Sequence, residues 1–161
     1  MVRVNAKFVA LTAVFTAAYA IGVIVLAPIS FYIYQCRIAD SLIALSTVFG
    51  LPTAIGTALG CAIANTYAGY GIIDIVGGSI ANFIAAIVGY YIASKKFKGS
   101  ILVALVAESL IISGIVGSYL SVVFEVPLIV GFTGVLVGSL ISINVLGYVL
   151  VKTIRMRIKE V

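Results

Sequence analysis

Charge is what this 161-residue chain has least of: Asp, Glu, Lys and Arg together make up 9% of it, against 63% apolar residues and a mean hydropathy of +1.30. Soluble domains carry roughly a quarter charged residues. This chain cannot coat a globule with polar surface, so the medium around most of it must itself be apolar. Histidine is absent, and Cys36 and Cys61 form no CxxC pair, which argues against a metal site; Cys61 reads as a small packing residue. There is no G-x-S-x-G elbow and no GxxxxGK[ST] phosphate loop. The chain is therefore expected to be no enzyme, to need no cofactor and to hydrolyse no ATP itself. Its net charge of +5 sits at the chain ends and in one loop. No basic stripe interleaved with aromatics is present, which argues against nucleic acid as a partner.

What the chain does have is long apolar runs without the period-two alternation of barrel strands. In lipid every backbone group must be bonded internally, so these runs predict an all-α integral membrane fold in the lipid bilayer, a single domain over residues 1–161. Six transmembrane helices are expected, at about residues 8–27, 37–50, 53–67, 72–93, 100–124 and 128–151. Pro28 is expected to stop the first and a basic amphipathic tail to follow the last. The start of the chain resembles a signal peptide ending at Ala18-Tyr19-Ala20, but its apolar run continues to Ala27 and reads as a retained helix. The second and third helices are short and meet at Pro52; a pair that does not fully cross is the alternative. Six spans put both termini and the 95–99 loop on one side. Arg3, Lys7, Lys95, Lys96, Lys98, Lys152, Arg155, Arg157 and Lys159, nine of the ten basic residues, fall there, which makes that side cytoplasmic.

Polar residues within apolar spans are costly and mark an interior site or a packing seam. Gln35, Arg37, Asp40, Asn65 and Asp74 come from separate segments yet share one depth near the outer face, with Tyr32, Tyr34, Tyr67, Tyr70 and Tyr119 at similar height. Such a grouping suits a pocket for a small, flat, polar solute. Each residue also has a plainer role: a local Arg37–Asp40 ion pair, Asp74 as a helix cap, Asn65 as an interhelical bond, the tyrosines as an interfacial belt. Glu108, two turns inside a span, needs a partner or a proton. Residues at helical spacing, most of them small (Gly56, Gly60, Ala64; Asp74, Gly78, Asn82, Ala86; Gly134, Gly138, Ser142), predict close helix packing. Ala6, Ala10, Ala13, Ala17 and Ala20 form a further stripe without polar groups, a face for internal packing or for another membrane protein.

Three patches, Tyr34-Gln35-Cys36-Arg37-Ile38-Ala39-Asp40, Gly60-Cys61-Ala62-Ile63-Ala64-Asn65 and Gly71-Ile72-Ile73-Asp74-Ile75-Val76-Gly77-Gly78-Ser79, resemble the QueT family, in that order and with matching loop lengths. The resemblance implies the substrate-binding (S) component of an energy-coupling-factor (ECF) importer for queuosine precursors in a prokaryotic plasma membrane. It implies capture of a 7-deazaguanine base at Gln35, Arg37, Asp40, Asn65 and Asp74, with Tyr34, Tyr70, Asn82 and Glu108 beside them. Ala6, Ala10, Ala13 and Ala17 would dock on a transmembrane coupling subunit that carries two ATPase subunits. The alternative is a stand-alone secondary carrier or channel for a small polar solute, which would show inverted repeats or a charged path through the midplane.

Overall fold

A computed structural model describes residues 5–159; Arg3, part of the charge argument above, lies outside the described residues. Helix α1 (Ala6–Val25) opens on an Asn5 side chain that accepts from the Phe8 amide at 2.9 Å. Its buried residues Phe15, Tyr19 and Val23 recur every fourth position, so one narrow face packs inward while the rest is left to lipid. Pro28 does not end the helical path. It takes the second position of a short turn, α2 (Ala27–Ser30), where first-turn amides have no intrahelical partner and a missing N–H is harmless.

Residues 31–37 then run without regular structure. The expected second helix begins as a 3₁₀ segment (Ile38–Leu45) and widens into α3 (Ser46–Phe49). The 3₁₀ winding rises ~2.0 Å per residue against ~1.5 Å for an α-helix, so these residues reach about 22 Å, further than an α-helix of the same length. Gly50, at φ 68, breaks the chain before α4 (Leu51–Ala68), whose second position holds Pro52. Then come α5 (Ile72–Ser94), α6 (Ser100–Val123) and α7 (Leu128–Ser139). A π-wound stretch (Leu140–Gly147) joins α7 to α8 (Tyr148–Lys159) without interruption, so the expected basic tail continues the last helix. No strand occurs among the described residues. Among the described residues, four helical stretches are long and apolar enough to cross a membrane: Ala6–Val25, Ile72–Ser94, Ser100–Val123 and Leu128–Ile158. Ile38–Phe49 is shorter.

Burying apolar surface against protein gains little over burying it in lipid, so close backbone approach has to supply the packing energy. The small-residue stripes do this. A Cβ at Gly60 would stand 2.7 Å from the Thr16 carbonyl oxygen and 2.8 Å from Tyr19 Cβ, and one at Gly56 would strike Phe15, which shows how tightly α1 and α4 meet. Gly117 and Gly131 bring α6 and α7 together in the same way. At one end of the bundle, Lys7 shares a cleft with Tyr90, and Tyr90 shares another with Lys96 and Arg155. The opposite end carries residues 31–37 and the turns at 69–71 and 124–127.

Candidate functional site

At that opposite end the polar residues converge. Arg37 is 5% exposed and sits at the centre. Its Nε donates to the Ser30 carbonyl and to Gln35 Oε1, each at 3.0 Å, its Nη1 reaches Cys61 Sγ at 3.6 Å, and its guanidinium carbon lies 5.4 Å from the centroid of the Phe31 ring. Asp40 accepts from the Tyr19 hydroxyl at 2.5 Å. Arg37 and Asp40 thus direct their hydrogen bonds to other partners, and the local ion pair is not formed.

A second group adjoins the first through Cys61. Asn65 donates from Nδ2 to the Asp74 backbone carbonyl at 2.7 Å, and the Tyr119 hydroxyl donates to Asp74 Oδ1 at 2.9 Å. Gly78 makes the junction: a Cβ there would meet Asn65 Nδ2, Cys61 Sγ and the Tyr119 hydroxyl. Asn65 Oδ1 and Asp74 Oδ2 are buried and bonded to no protein group. Buried acceptors without donors cost about 1–3 kcal/mol each; Thr53 Oγ1 and Glu108 Oε2 are left unbonded in the same way, and Asn65 with Asp74 is the pair that adjoins Arg37 through Cys61. Asn82 Nδ2 donates to the Thr57 carbonyl at 3.3 Å. With Gln35, Arg37 and Asp40 it forms the polar wall of a cavity of about 10 Å³ whose other wall includes Ile112, Val116 and Val135.

The tyrosines divide. Tyr32 and Tyr34 are 61% and 73% exposed, and Tyr67 is also turned outward, as a belt would be. Tyr70 instead packs edge-on between Phe31, at 6.2 Å, and Phe124, at 5.2 Å between ring centroids. Phe31, Tyr70 and Phe124 therefore form an aromatic cover beside Arg37. Glu108 lies elsewhere. It takes the Ser46 hydroxyl on Oε1 at 3.0 Å and presses on Gly89, some 16 Å along α6 from Tyr119. Asn144 bonds Ser109 at 3.4 Å. Ala6, Ala10, Ala13 and Ala17 are exposed along α1, whereas Ala20 is buried.

Sequence reasoning missed Tyr19, Phe31 and Phe124. For Tyr19 a signal was available: it falls between Phe15 and Val23 on the face opposite the alanines, and a buried tyrosine hydroxyl needs a partner. Cys61, read as packing, also borders the guanidinium.

Residues 31–37 are seated on α7 through glycine. A Cβ at Gly138 would overlap the Gln35 carbonyl oxygen and crowd Cys36 Cα, and one at Gly134 would strike the Ile33 carbonyl. Gly138→Ala should therefore displace the segment that carries Gln35 and Arg37, lowering the melting temperature by roughly 5 °C. Gly114, where a Cβ meets nothing within 4 Å, is the control: Gly114→Ala should leave melting unchanged or raise it. Differential scanning fluorimetry of the detergent-purified chain checks both.

No curated protein and no solved structure matches the chain. A family model described as the QueT transporter does match, over residues 9–156. That span takes in every residue of the cluster and nearly the whole chain, and the chain belongs to the QueT transporter family.

Proposed function

We propose that this chain is the solute-capturing subunit of an ECF-type importer, a six-span protein with both termini cytoplasmic in a prokaryotic plasma membrane, and that its solute is a 7-deazaguanine base. The observation that carries this reading is the pair of unbonded buried acceptors, Asn65 Oδ1 and Asp74 Oδ2, held by neighbouring helices beside a buried guanidinium. A guanine-like edge presents adjacent N–H donors to such a pair, and its ring carbonyl takes a donor from Arg37. Phe31, Tyr70 and Phe124 supply ring faces and edges for the flat solute. Asp40, oriented by Tyr19, and Asn82 line the small cavity on the other side of Arg37 together with Gln35.

The cavity of about 10 Å³ is far below the ~300–1,000 Å³ of typical ligand pockets. Entry therefore requires residues 31–37 to lift from α7. Tyr32 holds φ 80, a conformation that non-glycine residues seldom adopt, and the neighbouring turn carries Gly69 at φ 75 and Gly71 at φ 93. Both segments are suited to move. ATP hydrolysis belongs to partner ATPases, reached through a transmembrane coupling subunit that seats on the exposed alanine face of α1.

A thermal-shift screen of the purified chain against deazaguanines, guanine and B-type vitamins tests the reading. Stabilisation by a deazaguanine supports it; stabilisation only by an unrelated vitamin overturns the solute assignment. Lid motion has its own readout at Cys61, which is fully buried beside Arg37. Maleimide labelling of Cys61 in a Cys36→Ala background should proceed slowly without solute and slow at least tenfold further with it. Equal labelling rates would show that the solute does not close this segment.

A further inference from the structure

A cavity lined by two cations lies at the other end of the bundle. It measures about 580 Å³ and opens where α5 ends and α6 begins. Both helices are candidate spans, so the cavity stands at the level where hydrocarbon gives way to lipid headgroups. Lys96 and Arg155 line it, and no carboxylate does. Arg155 spends one donor, Nη2, on the Thr47 carbonyl at 3.1 Å, which fixes its planar fork and leaves other N–H groups for a ligand. Ser100 also lines the cavity and is 6% exposed. It is the first residue of α6, which starts behind Gly99 without a side-chain cap. The Ser100 amide is taken by the Phe97 carbonyl at 3.0 Å, so it is the Ile101 and Leu102 amides, with the positive end of the helix dipole, that add to the two cations. Beside this cavity runs an adjoining furrow of about 220 Å³, lined by Ile101, Tyr148, Val151 and Met156 and bordered by Lys152 and again by Arg155.

From these features we infer an anionic phospholipid site: the headgroup phosphate is held by Lys96, Arg155, Ser100 and the start of α6, and an acyl chain lies in the adjoining furrow. A phosphate ester fits because it offers several acceptor oxygens to donors converging from different directions. A lipid fits better than a free anion because the cation-lined cavity continues into a mainly apolar furrow. The site lies at the opposite end from Arg37 and stands independently of the solute reading.

The test uses the full chain, delipidated in neutral detergent and titrated with phosphatidylglycerol, phosphatidylcholine or inorganic phosphate, with melting temperature and lipid retention in native mass spectrometry as readouts. Phosphatidylglycerol should bind and stabilise, with the other two much weaker. Lys96→Gln should weaken phosphatidylglycerol binding about fivefold, the Lys96→Gln/Arg155→Gln double variant about twenty-five-fold, and Lys96→Arg should restore it. Lys96 is exposed, so its substitution leaves folding intact even where loss of the Arg155–Thr47 bond does not. Equal binding of the two lipids, equal stabilisation by inorganic phosphate, or unchanged binding by Lys96→Gln would each overturn the assignment.

Discussion

Arg37→Ala is expected to weaken solute binding roughly a hundredfold, because a hydrogen bond from a charged donor contributes about 1.5–3 kcal/mol and this side chain also organises the site. Its Nε holds both the Ser30 carbonyl and Gln35, and its charge stands over Phe31. Removing it strips a donor from the solute and releases residues 31–37 from their anchor, so the melting temperature should fall as well. Arg37→Lys separates the two effects. A lysine restores a buried charge but cannot reproduce the planar fork that reaches Ser30, Gln35 and Cys61 together, so stability should recover in part while affinity stays low. Isothermal titration with the best ligand of the thermal-shift screen decides between them. Wild-type affinity in a folded Arg37→Ala protein would remove Arg37 from the site.

Ala13→Trp should have the opposite profile. Ala13 is exposed midway along the α1 stripe, on a face that α4 does not use, so the variant should fold, melt and bind solute like the wild type. If a coupling subunit seats on this stripe, close approach depends on the absence of side-chain bulk, and an indole there holds the helices apart. Co-purification with the ATPase module and solute uptake should then both fall to background. Uptake at the wild-type rate would place the coupling surface elsewhere.

The sequence made the apolar setting and most helices readable because both are sums over many residues: few charges, long apolar runs, glycine and proline at the breaks. Local winding was not readable in this way. Nothing in the composition of residues 38–45 separates a 3₁₀ segment from an α-helix, and Pro28 reads as a stop unless one knows that a fresh turn begins just before it. The cluster was half visible for a related reason. Arg37, Asp40, Asn65, Asp74 and Asn82 stand out because buried polar groups are costly in apolar runs. Tyr119 carries the same side chain as the exposed Tyr32 and Tyr34, and only its neighbours in space separate the two roles, whereas Tyr19 could have been picked out by its place between Phe15 and Val23. Glu108 shows the converse. Its depth was legible, but its partner, Ser46, lies on an element far away in sequence, and that partner takes it out of the cluster.

In the proposed complex Asn65 and Asp74 present their free oxygens to the donor edge of a guanine-like solute. A crystal structure of the chain grown with a 7-deazaguanine tests this most directly. The base should lie with its N–H edge within hydrogen-bond distance of Asn65 Oδ1 and Asp74 Oδ2, and its carbonyl toward Arg37. A base bound at the Lys96 end of the bundle, or turned with its edge away from both oxygens, would contradict the account.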